Sequence, residues 1–416
     1  MYQDTDSRNL ATIPISITGG RDSPVVFAPN SESEEWLSHW QSVLARDLID
    51  DVVISIDADT AVEDACEALL SNDTSCLVIQ SSDQNAPESK PYVGLFDFAD
   101  VNAFLTLAAT QHTLTPAQLL DNTRASKVID AAKSGKVPVL LVSNLSEKNP
   151  LVTLYDSDTI VELLDVFSKG NHRVLIRSNS NPSSYLGFVT DRSLLAYFHS
   201  HSQFSAALNR YLSNPLHSLS LPCLSLRSAV VYSTASDTVQ DAMKLMSEQG
   251  VSSVAIVEDN PTAQLMNLLS AVSVTDIGKM VVRSQDKSIL SLPLHQFVAK
   301  IKEPDGSTDG VDKYPVYSVS AATSLRYTIE KILATNAHRV FITESPVSSS
   351  PIVTKPPPLP AHPISPMSAS QQTFHLRGLV SVVDVLALFA RLLNLSDIDP
   401  TRMQRHRRAS SAGTAS

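Results

Sequence analysis

The chain has 416 residues, 43% of them hydrophobic, and a formal net charge of −11. That is apolar material for two or three ordinary domains, and the acidic balance argues against nucleic-acid binding over the whole surface. No apolar run approaches the roughly 18 residues of a membrane span, and the start Met1-Tyr2-Gln3-Asp4 lacks the basic and apolar parts of a signal peptide.

In chain order, the segment from Met1 to about Asn30 is polar, and residues 1–33 are expected to be disordered. The first unit, 34–115, has Asp59-Thr60 opening a helix with the stripe Val62, Ala65, Cys66, Leu69. The strand Cys76-Leu77-Val78-Ile79 follows. Gly94-Leu95-Phe96 then ends a second strand and opens a helix carrying Val101, Phe104, Leu105 and Ala108. The second unit, 116–212, repeats the order with Asp158-Thr159, the stripe Ile160, Leu163, Leu164, Phe167, the strand Arg173-Val174-Leu175-Ile176 and Gly187-Phe188-Val189. The third, 213–285, has Asp237-Thr238, the stripe Val239, Ala242, Met243, Met246 and the strand Ser253-Val254-Ala255-Ile256; Ser270-Ala271-Val272 replaces the glycine by serine. The fourth, 286–395, begins its helix at Thr323 with Leu325, Ile329 and Ile332. It continues through Arg339-Val340-Phe341-Ile342 to Gly378-Leu379-Val380 and a helix with Val385, Leu388, Phe389 and Leu392.

Thr60 to Glu63, Thr159 to Glu162 and Thr238 to Asp241 have capping-box spacing; the fourth copy has Arg326 in place of an acid. Strand, helix, strand, strand, helix in every unit predicts an α/β fold of four duplicated modules with mixed sheets. Residues 345–372 are a Pro/Ser-rich insertion between the last two strands of unit four, and 396–416 form a basic tail. Cys66 and Cys76 fall at apolar positions, where cysteine acts as a small core residue; with Cys223 they form no CxxC pair, and a reducing compartment is expected.

The unit order, with Gly-apolar-x-Ser/Thr-x-x-Asp opening the last helix, resembles the CBS domain, whose repeats pair into Bateman modules. His172-Arg173 and His338-Arg339, in units two and four, resemble the γ-subunit of AMP-activated protein kinase. The string from Gly94 to Phe104, and the end from Asp397-Ile398-Asp399-Pro400 into Arg407-Arg408-Ala409-Ser410, resemble fungal four-CBS proteins named as suppressors of type-one phosphatase defects. The resemblance implies a regulatory protein of cytoplasm and nucleus, acting on phosphatase control, mitosis, DNA replication, cell separation and stress response.

It also implies adenine nucleotide (AMP, ADP or ATP) as regulatory ligand, with no cofactor required. A carboxylate can accept both hydroxyls of a ribose diol, which suits Asp276, Asp384 and Asp100; Ser273, Ser381 and Thr190 stand at the hydroxyl position. The same Ser-x-x-Asp spacing is also a plain capping box, and both readings stay open. His172, Arg173, His338 and Arg339 are the expected phosphate partners, with a protonated His338 adding a pH-dependent contribution. Unit two has Ser193 where the acid belongs and unit one has Asp97 where a hydroxyl belongs, so the module of units three and four is favoured.

No Walker loop, GxGxxG, GxSxG or HExxH occurs, so neither catalysis nor a metal site is expected, His199-Ser200-His201 included. Ser410, behind two arginines, is a candidate phosphorylation site. A protein phosphatase or kinase complex is the expected partner. The alternatives are a γ-type subunit of an energy-sensing kinase, or a scaffold with vestigial clefts.

Overall fold

The computed structural model describes residues 30–81, 91–181, 183–219, 221, 224, 230–259, 266–284, 287–302, 318–344 and 375–395. The expected insertion, most of the expected disordered start, the basic tail with Ser410, and Cys223 lie outside the described residues. The chain opens with α1 (Ser31–Trp40). Residues 31–33, expected to be disordered, are therefore helical. Asn30 starts the helix by accepting from Ser33 N at 3.0 Å and donating its own N–H to Ser33 Oγ at 2.8 Å.

Unit one comprises β1 (Ser55–Asp57), α2 (Val62–Ser71), β2 (Cys76–Gln80), β3 (Tyr92–Asp97) and α3 (Phe98–Thr110). Helices α4 (Pro116–Asp121), α5 (Thr123–Lys133) and α6 (Val139–Val142) lead to unit two: β4 (Thr153–Tyr155), α7 (Ile160–Ser168), β5 (Arg173–Arg177), β6 (Tyr185–Thr190) and α8 (Asp191–His201). Helix α9 (Ala206–Leu212) precedes unit three, which has β7 (Tyr232–Thr234), α10 (Val239–Gln249), β8 (Ser253–Val257), β9 (Leu268–Ser273) and α11 (Val274–Ser284). After α12 (Leu294–Lys302), unit four has β10 (Ser318–Val319), α13 (Leu325–Ala334), β11 (Arg339–Glu344), β12 (His375–Ser381) and α14 (Val382–Leu392).

Each unit forms one three-stranded sheet whose first strand runs parallel to the second and whose last two pair antiparallel. A register shift recurs at one place in all four, after Ile79, Ile176, Ile256 and Ile342. The expected order of elements is thus what the chain adopts. Continuous apolar runs bury the middle strand on both faces, while the 3.6-residue stripes bury one helix face. In unit four Glu344 and His375 are register partners, so the insertion leaves and re-enters the sheet at adjacent points.

Helix starts follow the apolar stripe, not the Asp-Thr pair. Thr159 and Thr238 cap α7 and α10 with the expected boxes. In unit one the cap position is Ala61, which makes no side-chain cap, so the Thr60–Glu63 box does not form. Val62 aligns with Ile160 as first helical residue, which leaves Thr60 one residue too early. In unit four Ser324, not Thr323, accepts from Tyr327 N.

Consecutive units exchange connecting segments. Leu44 bridges to Thr159 and Asp51 to Phe188, placing the stretch before β1 on unit two. Ala61 bridges to Pro138, placing the stretch around α6 on unit one. The second pair repeats this: Pro215 bridges to Ser324 and Thr238 to Pro293. The expected limits at 115/116 and 285/286 therefore fall before segments that pack back on the preceding unit. Gly187 belongs to this exchange, because a Cβ there would lie 2.4 Å from Ile49 Cγ2 and 2.7 Å from the Asp51 carbonyl.

The two modules meet through helices. One core joins α2 and α3 of unit one to α10 and α11 of unit three; another joins α7 and α8 of unit two to α13 and α14 of unit four. Gly278 on α11 lets the Phe98 ring approach, at 2.4 Å from where a Cβ would stand. Cys66 and Cys76 are buried and unbridged, and burial pushes their thiols up to about 12 and about 11. Among the described residues no helix is long and apolar enough to cross a membrane.

Candidate ligand site

In each unit the last strand delivers a polar residue to the start of the last helix, and the middle strand begins beside it. In unit three Ser273 N and Oγ donate to Asp276 Oδ2 at 2.9 and 2.7 Å, and Asp276 N donates back to Ser273 Oγ at 3.1 Å. In unit four Ser381 N and Oγ donate to Asp384 Oδ2 at 2.8 and 2.7 Å, with Asp384 N returning at 3.2 Å. Both are closed capping boxes. They occupy one carboxylate oxygen and leave the other outside the box.

The two arginines differ. Arg173, at the start of β5, reaches into unit one: Nη1 lies 3.3 Å from Asp97 Oδ2 and Nη2 donates to Ser75 Oγ at 3.0 Å. Burial opposes its charge, but the groups around it, the Cys76 thiol and the Asp97, Asp191 and Asp51 carboxylates, outweigh burial and raise its pKa. Arg339, at the start of β11, reaches into unit three in the same way, with Nη2 donating to Ser252 Oγ at 2.9 Å. Where unit one has Asp97, unit three has Ser273. The Arg339 Nε–H is buried without an acceptor, and burial lowers its pKa with only Asp384 acting against it. The module of units three and four thus holds an under-compensated guanidinium next to two Ser/Asp boxes.

The histidines preceding these arginines meet between the modules. The rings of His172 and His338 are 5.3 Å apart in an edge-to-face arrangement. His172 Nδ1 lies 2.7 Å from Asp191 Oδ2; burial opposes the charge of that carboxylate, but His172, together with His338 and Arg173, outweighs burial and holds it below the ordinary range. Burial pushes His338 down to about 3, so it stays neutral at ordinary pH, and the expected pH dependence from its protonation is withdrawn.

The CBS-domain family matches residues 142–200 and 225–277, covering most of units two and three. Units one and four repeat the same sheet, bulge and helix order. This chain is built of four CBS-like repeats. It is similar along most of its length to fungal Sds23 proteins: 29% identical over 422 residues to protein sds23 of Aspergillus niger, covering 93% of this chain and 80% of that protein. Against SDS23 of Yarrowia lipolytica it is 28% identical over 414 residues, covering 99% and 78%. A solved structure from Methanocaldococcus jannaschii, described as a proposed archaeal homologue of γ-AMPK, shares the fold with a TM-score of 0.54 at 13% identity, over 84% of this chain and 100% of that one.

The four CBS repeats are not equally open to a ligand. Asp100 of the first is wholly buried and accepts from Ser146 N and Oγ at 3.0 and 2.7 Å, Asn144 N at 3.2 Å and Asp97 N at 3.3 Å. A carboxylate so enclosed by the segment after α6 offers no face to a ribose diol, which corrects the expectation for Asp100. Thr190 of the second repeat caps α8 by accepting from Ser193 N at 3.1 Å, and donates its hydroxyl to Asp50 Oδ2 at 2.7 Å. That acid beside it disfavours a phosphate.

Sequence reasoning missed Asp191, Ser75 and Ser252. The signal for Asp191 was available: Phe98, Val274 and Val382 hold the same first helical position in the other repeats and are buried, so an acid there departs from an apolar series. Ser75 and Ser252 each precede a middle strand, a match that acquires meaning only when the arginine of the neighbouring repeat arrives. His199 pairs with Glu330 at 3.1 Å and the His201 ring stacks on His39 at 4.5 Å, so this pair does not converge.

Proposed function

We propose that this CBS-repeat regulatory protein senses adenine nucleotide in the module of units three and four and, without catalysis of its own, modulates a protein phosphatase or kinase complex. The observation that carries the reading is the buried Arg339 guanidinium, with an unsatisfied Nε–H and no carboxylate in the place where Arg173 has Asp97. A buried, under-compensated arginine favours an anion with several acceptor oxygens, and a phosphate supplies them. Ser273 and Ser381 lie at the adjoining helix starts, and the carboxylates of Asp276 and Asp384 suit a diol. Likeness to the fungal Sds23 proteins supports the regulatory role, and the proposed setting in cytoplasm and nucleus, in mitosis, DNA replication, cell separation and stress response, rests on that likeness. In the module of units one and two the Asp97–Arg173 pair favours a structural, vestigial cleft.

The test is calorimetric titration of AMP, ADP, ATP and adenosine into the full chain and into Arg339→Ala. Losing a charge-assisted contact of about 1.5–3 kcal/mol weakens the nucleotides by about 10- to 150-fold. Adenosine is expected to bind equally to both proteins, and AMP binding to weaken as salt rises. Equal losses for adenosine and AMP, or no loss for either, would remove the assignment.

A further inference from the structure

The CBS duplication carries His172 and His338 to equivalent places in units two and four, and the packing of those units brings their rings edge to face across the inter-module contact. Between them stands Asp191, 1% exposed, at a helix position that is apolar in the other three repeats. One ligand atom from each of the three side chains lies within 4.8 Å of the others. Among the described residues, this is the group of histidine, cysteine and acid side chains that converges in this way.

We propose that His172, Asp191 and His338 form a binding site for a divalent transition-metal ion of the zinc class, linking the two modules. Two imidazole nitrogens and one carboxylate oxygen are a donor set suited to such an ion, and three protein ligands leave one position for water. Two atoms of the cluster lack partners: Asp191 Oδ1 and His338 Nδ1 are both buried with no hydrogen bond. A buried carboxylate oxygen and a buried imidazole nitrogen that both lack a hydrogen bond are costly unless something satisfies them. One cation would do so.

Tetrahedral zinc with ligands at about 2.0–2.1 Å spaces its ligand atoms about 3.3 Å apart, so the cluster closes on an ion by side-chain movement of the order of 1 Å. The ion displaces the proton shared between His172 Nδ1 and Asp191 Oδ2, and that proton leaves to solvent. Arg173 and Arg192 also face Asp191. Arg173 is balanced by Asp97, whereas Arg192 donates to the Asn336 carbonyl at 3.1 Å and leaves Nε unpartnered, so it opposes a cation.

The experiment is titration of the nucleotide-free full chain with Co²⁺, read by its visible ligand-field absorption, and with Zn²⁺, read by thermal stability. The expected result is one equivalent of Co²⁺ with a low-coordinate spectrum, displaced by Zn²⁺, and a Zn²⁺-dependent rise in Tm that a chelator reverses. Asp191→Asn and His338→Ala are each expected to weaken Co²⁺ at least 10-fold, while His199→Ala leaves it unchanged. Arg192→Gln, which keeps a donor and removes a repelling charge, is expected to tighten Co²⁺ and guards against variants that lose binding by misfolding. Absence of stoichiometric uptake by the wild type, uptake that survives both Asp191→Asn and His338→Ala, or weaker binding in Arg192→Gln would overturn the site.

Discussion

Asp97 and Ser273 hold the same place in units one and three, and that difference separates the two modules. Asp97 caps α3 through Ala99 N and Asp100 N, neutralises Arg173, and presses a second negative charge on Asp100. Burial first, and then Asp97, push Asp100 up to about 7 from an ordinary value of 3.8. A carboxyl whose folded-state pKa is raised binds protons more readily folded than unfolded. Its contribution to stability is complete below about pH 4 and is lost as pH rises to about 7. Asp97→Ser keeps a capping oxygen and removes the like charge. It is expected to lower the Asp100 pKa and reduce the decline in stability between pH 4 and 7. Urea denaturation of both proteins across that range is the measurement, and an unchanged slope would show that burial alone sets the Asp100 pKa.

At the scale of the element, helix starts illustrate how local signals compete. The Asp-Thr pair recurs in three units, but the core receives the stripe that begins at Val62, Ile160, Val239 and Leu325, all at most 1% exposed. Burying that stripe outweighs one cap, which is worth about 1 kcal/mol, so the backbone keeps the stripe and unit one does without a side-chain cap. Thr159→Ala is therefore expected to cost about 1 kcal/mol, and Thr60→Ala only a few tenths. Equal losses in chemical denaturation would contradict the cap assignment. Helix α1 shows a different effect: Trp36 and Trp40 are buried against Tyr211, Phe198 and Phe389, so a segment before the repeats joins the core of units two and four.

Across the whole molecule, segment exchange within each pair and helix packing between pairs make the four units interdependent. Residues 30–219 alone would leave the helix faces of units one and two uncovered, and residues 230–395 would do the same for units three and four. Large uncovered apolar faces drive association. Each half expressed alone is expected to self-associate, and the two co-expressed to form one complex of full-chain size on analytical ultracentrifugation. Two soluble, non-interacting monomers would show that the inter-module cores contribute little.

The four-fold order of strands and helices was legible in the sequence because it is written locally: short continuous apolar runs for buried strands, 3.6-residue stripes for helices, and recurring Gly-apolar strings at their junctions. The Ser-x-x-Asp boxes at Ser273 and Ser381 were legible for the same reason, since their partners are three residues apart. What pairs across long stretches of chain was not. Whether an arginine at a strand start is balanced depends on Asp97 or Ser273 arriving from another unit, and whether Asp100 faces a cleft depends on where residues 144–146 fold back. His172, Asp191 and His338 become neighbours only when unit two packs on unit four. Local sequence determined the elements and the repeat; tertiary packing decided which charges are satisfied, because neutralisation is a property of neighbours in space.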